Sequence, residues 1–151
     1  MSLQEKLVED MKAAMKAKED GRLRLSVIRL VRAAIKNAEV DKGHALGDDE
    51  VLDVIAREVK QRRDAIEEYN RCGRPDAADQ LMQEIGILME YLPEQMDEVE
   101  IRKLAALVIS ELGARGPGDL GRVMGALMPK VRGRCDGKVV NRIVKELLSE
   151  V

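Results

Sequence analysis

The stretch DGKVVNRIVKELL, residues 136–148, decides the fold. Its apolar residues Val139, Val140, Ile143, Val144, Leu147 and Leu148 recur at steps of three and four, the period of a helix with one face turned to a core. Asp136 stands where an N-cap belongs. On the opposite edge Lys138, Arg142 and Lys145 fall within a narrow arc, with Asn141 beside them.

The same period extends through the rest of the chain, and no segment alternates for long enough to make a strand. The protein is therefore expected to be all-α. Ser2 and Glu5 have capping-box spacing and open a helix to about Lys18, with Leu3, Leu7, Met11 and Met15 as its stripe. After the break at Asp20-Gly21 a second helix turns Leu23, Val27, Ile28, Leu30, Val31, Ala34, Ile35 and Ala38 inward. Its other face carries a basic row of Arg22, Arg29, Arg32 and Lys36.

Asp48 and Asp49 are good caps for a long third helix reaching about Arg71, on which Glu58/Arg62, Lys60/Asp64 and Arg63/Glu67 have the i,i+4 spacing of a solvated charged face. Pro75 suits the first position of a fourth helix that ends before Pro93, and residues 93–96 are expected as a linker. Asp97 then caps a helix with Leu104, Leu107, Val108 and Leu112 inward, and Gly116-Pro117-Gly118 turns the chain. Leu120, Val123, Met124, Leu127, Met128 and Val131 form the next stripe. A four-helix N-terminal lobe over residues 1–93 and a small three-helix C-terminal lobe over 97–151 follow from these breaks.

Composition narrows the function. With 151 residues, 45% hydrophobic and 36% charged, the chain can bury a core and is too apolar for disorder. It lacks the roughly 20-residue apolar run of a membrane span and the apolar core of a signal peptide near its start, so a cytoplasmic location is expected and no membrane partner. Cys72 and Cys135 stand far apart and His44 is the only histidine, so neither a disulfide nor a metal site is expected. Arginine neighbours of each cysteine would lower a thiol pKa; a tolerated, half-buried thiol is the plainer alternative.

Charge distribution points to a partner. From Arg122 to Lys145 there are seven basic residues, Arg122, Lys130, Arg132, Arg134, Lys138, Arg142 and Lys145, against the single acid Asp136, although the net charge of the chain is −2. A cationic edge of this kind fits an RNA backbone. With no Trp or Phe and only Tyr69 and Tyr91, base stacking is unavailable, and phosphates and shape would be read instead. Gly121 and Gly125 lie one turn apart inside a helix, which leaves room for a close neighbour, either another helix or a sugar-phosphate backbone. Gly137 opens the last helix beside amides that a phosphate or the Asp136 carboxylate can occupy. From Asp76 to Glu100 the chain has eight carboxylates and no basic residue, an acidic belt without metal-ligand spacing.

The segments Arg24-Leu25-Ser26-Val27-Ile28-Arg29, Glu58-Val59-Lys60-Gln61-Arg62-Arg63-Asp64, Glu90-Tyr91-Leu92-Pro93-Glu94-Gln95 and Val123-Met124-Gly125-Ala126-Leu127-Met128-Pro129-Lys130 resemble the YqeY proteins over essentially the entire chain. That family is similar to the C-terminal helical and tail region of the GatB subunit of the tRNA-dependent amidotransferase, which amidates misacylated Glu-tRNA(Gln) or Asp-tRNA(Asn). The resemblance implies the tRNA-binding appendage of a glutamine-dependent carbon-nitrogen ligase, without its catalytic domain and with no cofactor. It marks Lys130, Arg132, Arg134, Lys138, Arg142 and Lys145 as phosphate contacts, and Gly121 and Gly125 as points of close approach. The sequence itself offers no nucleophile-base pair and no P-loop, so no catalytic residue is assigned. The expected partners are tRNA and an aminoacyl-tRNA-processing enzyme. The alternative is a protein-interaction adaptor that uses the acidic belt or a groove between the lobes.

Overall fold

The computed structural model describes residues 1–151 and contains seven α-helices and no strand. They are α1 (Leu3–Lys16), α2 (Arg22–Lys42), α3 (Asp48–Arg71), α4 (Pro75–Met89), α5 (Glu98–Leu112), α6 (Leu120–Val131) and α7 (Gly137–Ser149), with short 3-10 turns at Lys18–Gly21 and Pro117–Asp119. No helix is long and apolar enough to cross a membrane. The chain forms two compact units, Met1–Pro93 and Glu94–Val151.

The first unit is built from α1 to α4. At the head of α1 the Ser2 hydroxyl accepts from the Glu5 amide at 3.1 Å while the Glu5 carboxylate takes the Ser2 amide at 3.3 Å, the reciprocal cap its sequence spells. Leu7, Val27, Ile28, Val31, Ile35, Val51, Ile55 and Leu88 share the core. Each large aliphatic side chain buried there contributes about 1.5–3 kcal/mol. Between α1 and α2 the chain doubles back so tightly that a Cβ on Gly21 would lie 2.1 Å from the Ala14 carbonyl oxygen. Only glycine fits that approach. Ala14, not Met15, accordingly faces inward, and Met15 is 50% exposed.

Two further apolar residues depart from the expected stripes. Leu30 and Leu107 are each 52% exposed, because the observed stripes of α2 (Val27, Ile28, Val31, Ile35) and α5 (Ile101, Ala105, Val108, Ile109) leave them roughly 100° or more around the helix. The charged face expected on α3 is also only partly solvated. Arg62 and Glu84 are both 8% exposed, and Arg62 Nε donates to Glu84 Oε1 of α4 at 3.1 Å. Arg62 also donates to the Glu58 carbonyl at 3.1 Å and to its carboxylate at 3.3 Å.

The second unit packs α5, α6 and α7 around Ile101, Val108, Val123, Leu127, Val140, Ile143, Val144 and Leu148. Residues 94–96, expected as a linker, are stitched to the turn after α6. The Met96 amide donates to the Arg134 carbonyl at 2.8 Å, Gln95 Nε2 to the Gly133 carbonyl at 2.8 Å, and Arg134 Nε to the Glu94 carbonyl at 2.9 Å. Gly133 makes this turn in the left-handed region, at φ +73°.

Candidate nucleic-acid interface

The seven cations of the second unit fall into two groups. Lys130 at the end of α6, and Lys138 and Lys145 on α7, are exposed and their ammonium groups have no carboxylate partner. Lys138 and Lys145 lie opposite the buried side of α7, which is formed by Val140, Ile143, Val144 and Leu148. The burial of that side forces these ammonium groups into water.

The arginines are committed within the protein. Arg142 donates to Glu98 at 2.7 Å and to Glu146 at 3.0 Å, and Glu146 also receives Arg102 at 2.7 Å. Hydrogen bonds from Arg102 and Arg142 hold the Glu146 carboxyl below the usual carboxylate range. Arg134 closes the 94–96 turn described above, and Arg132 is half-buried and engaged within the protein. Arg122 stands between the groups, 3.6 Å from Asp119 in an exposed pair. The cationic edge is thus narrower than the sequence implies. Arg142 to Glu146 is an i,i+4 pair visible in the sequence, whereas Glu98 lies 44 residues from Arg142 and only the fold joins them.

The glycines separate just as clearly. A Cβ at Gly121 or Gly125 would meet nothing within 4 Å, so packing against a neighbouring helix does not explain either one. Both are exposed, and helical geometry puts them on one side of α6 with Arg122 and Pro129, opposite buried Val123, Leu127 and Val131. The outer face of α6 therefore lacks a side chain at two positions, beside Arg122 and Pro129. A Cβ on Gly137 would only touch Met128 at an ordinary 3.8 Å. The amides at the start of α7 are taken internally, since Asp136 Oδ1 accepts from the Lys138 amide at 2.9 Å.

The Cys135 thiol fits the plainer of its two expected readings, half-buried and tolerated, and Cys72 is exposed. Burial, with Asp136 adjacent, pushes the Cys135 thiol up and outweighs Arg134, so it is not an activated nucleophile. Of the carboxylates from Asp76 to Glu100 only Glu84 is buried, and several of the exposed ones are engaged within the protein. Glu84 is buried against Arg62, Glu90 binds Arg24 at 2.9 Å, Asp97 caps α5 and Glu98 holds Arg142.

Comparison with known proteins gives the relatives of this arrangement. The chain matches the family described as Yqey-like protein over residues 4–148. It is 34% identical over 114 residues to "Altered inheritance of mitochondria protein 41, mitochondrial" of Lachancea thermotolerans, covering 74% of this chain and 60% of that protein. The protein of the same name in Clavispora lusitaniae is 32% identical over 125 residues, 81% of this chain and 69% of that one. A glutamyl-tRNA(Gln) amidotransferase subunit of Methanospirillum hungatei is 38% identical over 66 residues, 41% of this chain but 11% of that protein. The chain spans 60% and 56% of two of the yeast proteins it matches, so it corresponds to part of each. Those relatives carry mitochondrial names, which overturns the cytoplasmic location expected from the sequence. With the match running through all seven helices, the chain belongs to the YqeY family and is a helical protein related to the tRNA-dependent amidotransferases.

Proposed function

We propose that this protein is a tRNA-binding module, a four-helix lobe followed by a three-helix lobe, whose second lobe contacts the phosphate backbone through Lys130, Lys138 and Lys145. The observation that carries the proposal is that these lysines are exposed and unpartnered in a unit whose neighbouring arginines are spent on its own carboxylates and carbonyls. The open Gly121 and Gly125 positions on α6 beside Arg122 support it by leaving room for a sugar-phosphate chain to approach. Partial likeness to a glutamyl-tRNA(Gln) amidotransferase subunit supports tRNA as the kind of RNA. The protein acts without catalytic machinery of its own, beside an aminoacyl-tRNA-processing enzyme. The adaptor alternative keeps only part of its acidic surface, because Glu84, Glu90 and Glu98 are engaged by arginines while Asp76, Asp79, Glu94 and Glu100 stay exposed.

Filter retention of tRNA across about 50–200 mM salt tests the proposal. Three phosphate contacts give a slope of log K against log salt of about −2 to −3, at roughly −0.7 to −0.9 per phosphate. No retention at low salt, or a slope near zero, removes it. With glutamine, ATP and Glu-tRNA supplied, the isolated chain is expected to form no amide.

The glycines give an independent check. Replacing Gly121 and Gly125 together by Ala is expected to raise stability by about 1 kcal/mol, because both sites are helical and open. The same double variant is expected to bind tRNA more weakly, since two methyl groups stand off the backbone. Thermal unfolding and filter binding on one preparation read both effects. A stabilised variant with unchanged affinity would show that nothing approaches α6 closely.

A further inference from the structure

From its start to Ala38, α2 repeats in the first unit the charge pattern that marks the second. From Arg22 to Ala38 the chain has Arg22, Arg24, Arg29, Arg32 and Lys36 and no carboxylate. Arg22 faces Glu19 at 3.8 Å and Arg24 is bound to Glu90 at 2.9 Å. Arg29, Arg32 and Lys36 are exposed and make no salt bridge, although Lys36 lies near enough to Glu39 to help lower its carboxyl; Arg32 Nη1 rests on the Met11 sulfur at 3.2 Å, a weak acceptor. Spaced i, i+3, i+7, the three share one side of the helix over about 10 Å of its axis.

Carboxylates bordering this face have other commitments. Glu39 accepts from the Leu46 amide at 2.9 Å and from Gln4 at 3.2 Å, and Glu5 is spent on the Ser2 amide at 3.3 Å. Between α1 and α2 an open groove of about 470 Å³, floored by Leu7, Val8 and Ile35, has Arg32 and Lys36 on its lining together with Glu5 and Glu39. A guanidinium and an ammonium beside a shallow groove, with the acids tied back, suit an anionic chain lying across them.

A lipid surface fits less well. A helix that lies in a membrane interface inserts its apolar face, whereas Val27, Ile28, Val31 and Ile35 of α2 are locked in the core. Resting on the tRNA-binding reading above, we propose that Arg29, Arg32 and Lys36 form a second phosphate-contacting surface, on the first unit.

The full-length protein carrying Arg29→Glu, Arg32→Glu and Lys36→Glu tests this, beside a variant with Lys130, Lys138 and Lys145 each changed to Glu. Filter binding uses tRNA at several salt concentrations, and flotation uses vesicles containing phosphatidylserine. With both surfaces the unaltered chain has a slope of about −4 to −5 in place of the −2 to −3 of the lysines alone; expected for the α2 variant is a return to about −2 to −3 and a loss of at least about tenfold in low-salt affinity. Should it bind tRNA as the unaltered protein does while the lysine variant loses binding, the second surface is refuted and the first stands. If the α2 variant loses tRNA while the lysine variant does not, the α2 surface stands and the first is refuted. No retention by the unaltered chain refutes both. Loss of vesicle flotation with tRNA binding intact also overturns the inference, in favour of lipid. Replacing the same three α2 residues by Gln keeps the test decisive if three glutamates disturb folding.

Discussion

Arg62→Ala is expected to cost about 3–5 kcal/mol of stability, most of the margin of an ordinary domain. The Arg62 side chain is 10% exposed, that of Glu84 11% and that of Glu58 15%, so water reaches none of the three well. Arg62 Nε meets Glu84 at 3.1 Å while its Nη1 meets the Glu58 carbonyl and carboxylate, and Gln80 Nε2 closes the far oxygen of Glu84 at 3.4 Å. Removing the guanidinium leaves the buried Glu84 and the partly buried Glu58 carboxylates at the α3–α4 seam without their cation. At about 4–8 °C per kcal/mol for a unit of this size, the melting point should fall by on the order of 15 °C or more.

A companion variant separates charge from packing. Arg62→Met with Glu84→Leu removes both ends of the pair and refills the space with apolar volume. It should recover to within about 1 kcal/mol of the unaltered chain or exceed it, because a buried ion pair seldom outperforms hydrophobic packing of similar size. Glu58 can then turn toward solvent. Denaturant unfolding of the single and double variants decides the matter. An Arg62→Ala protein within about 1 kcal/mol of the original would mean that these carboxylates are hydrated and the pair holds nothing.

That pair also shows where sequence reading stops. Helical class, the caps at Ser2, Asp97 and Asp136, and the stripes of α6 and α7 were legible because each depends on residues within one or two turns. Arg62 looked like half of a solvated i,i+4 pair with Glu58, and that contact exists. Its burial depends on Glu84, 22 residues away on another helix, which no local spacing encodes. Met15, Leu30 and Leu107 were misplaced for a related reason, since each belongs to an apolar run whose true stripe is set by the neighbouring helix. Gly21 was legible as a break, but its need for glycine came from Ala14 across the turn.

The candidate site was divided by the same principle. Charge density located the second unit as the cationic part of the chain. It did not distinguish cations serving the protein from cations available to a partner. Arg134 and Arg142 are held by groups 40 and 44 residues away, brought near only when α5 packs beside the later helices. Lysines show the reverse: Lys130, Lys138 and Lys145 remain in solvent because nothing acidic is folded against them.

Changing Lys130, Lys138 and Lys145 together to Glu is therefore expected to weaken tRNA binding about a hundredfold at low salt. At about 1 kcal/mol for each lost attraction near 4 Å in water, three contacts amount to about 3 kcal/mol, or two decades in affinity. The salt slope should become shallower by about 2 to 3. Stability should hardly change, because none of the three ammonium groups supports another part of the fold. Changing Arg142 to Gln provides the contrast: it breaks the Glu98 and Glu146 bonds and leaves the exposed lysines in place. Its effect should fall on thermal unfolding, with tRNA affinity within about threefold of the unaltered chain, since this guanidinium already has two carboxylates. If Arg142→Gln removed as much binding as the triple lysine change, the division between committed arginines and available lysines would be wrong, and RNA would have to displace Glu98 and Glu146 to reach its contact.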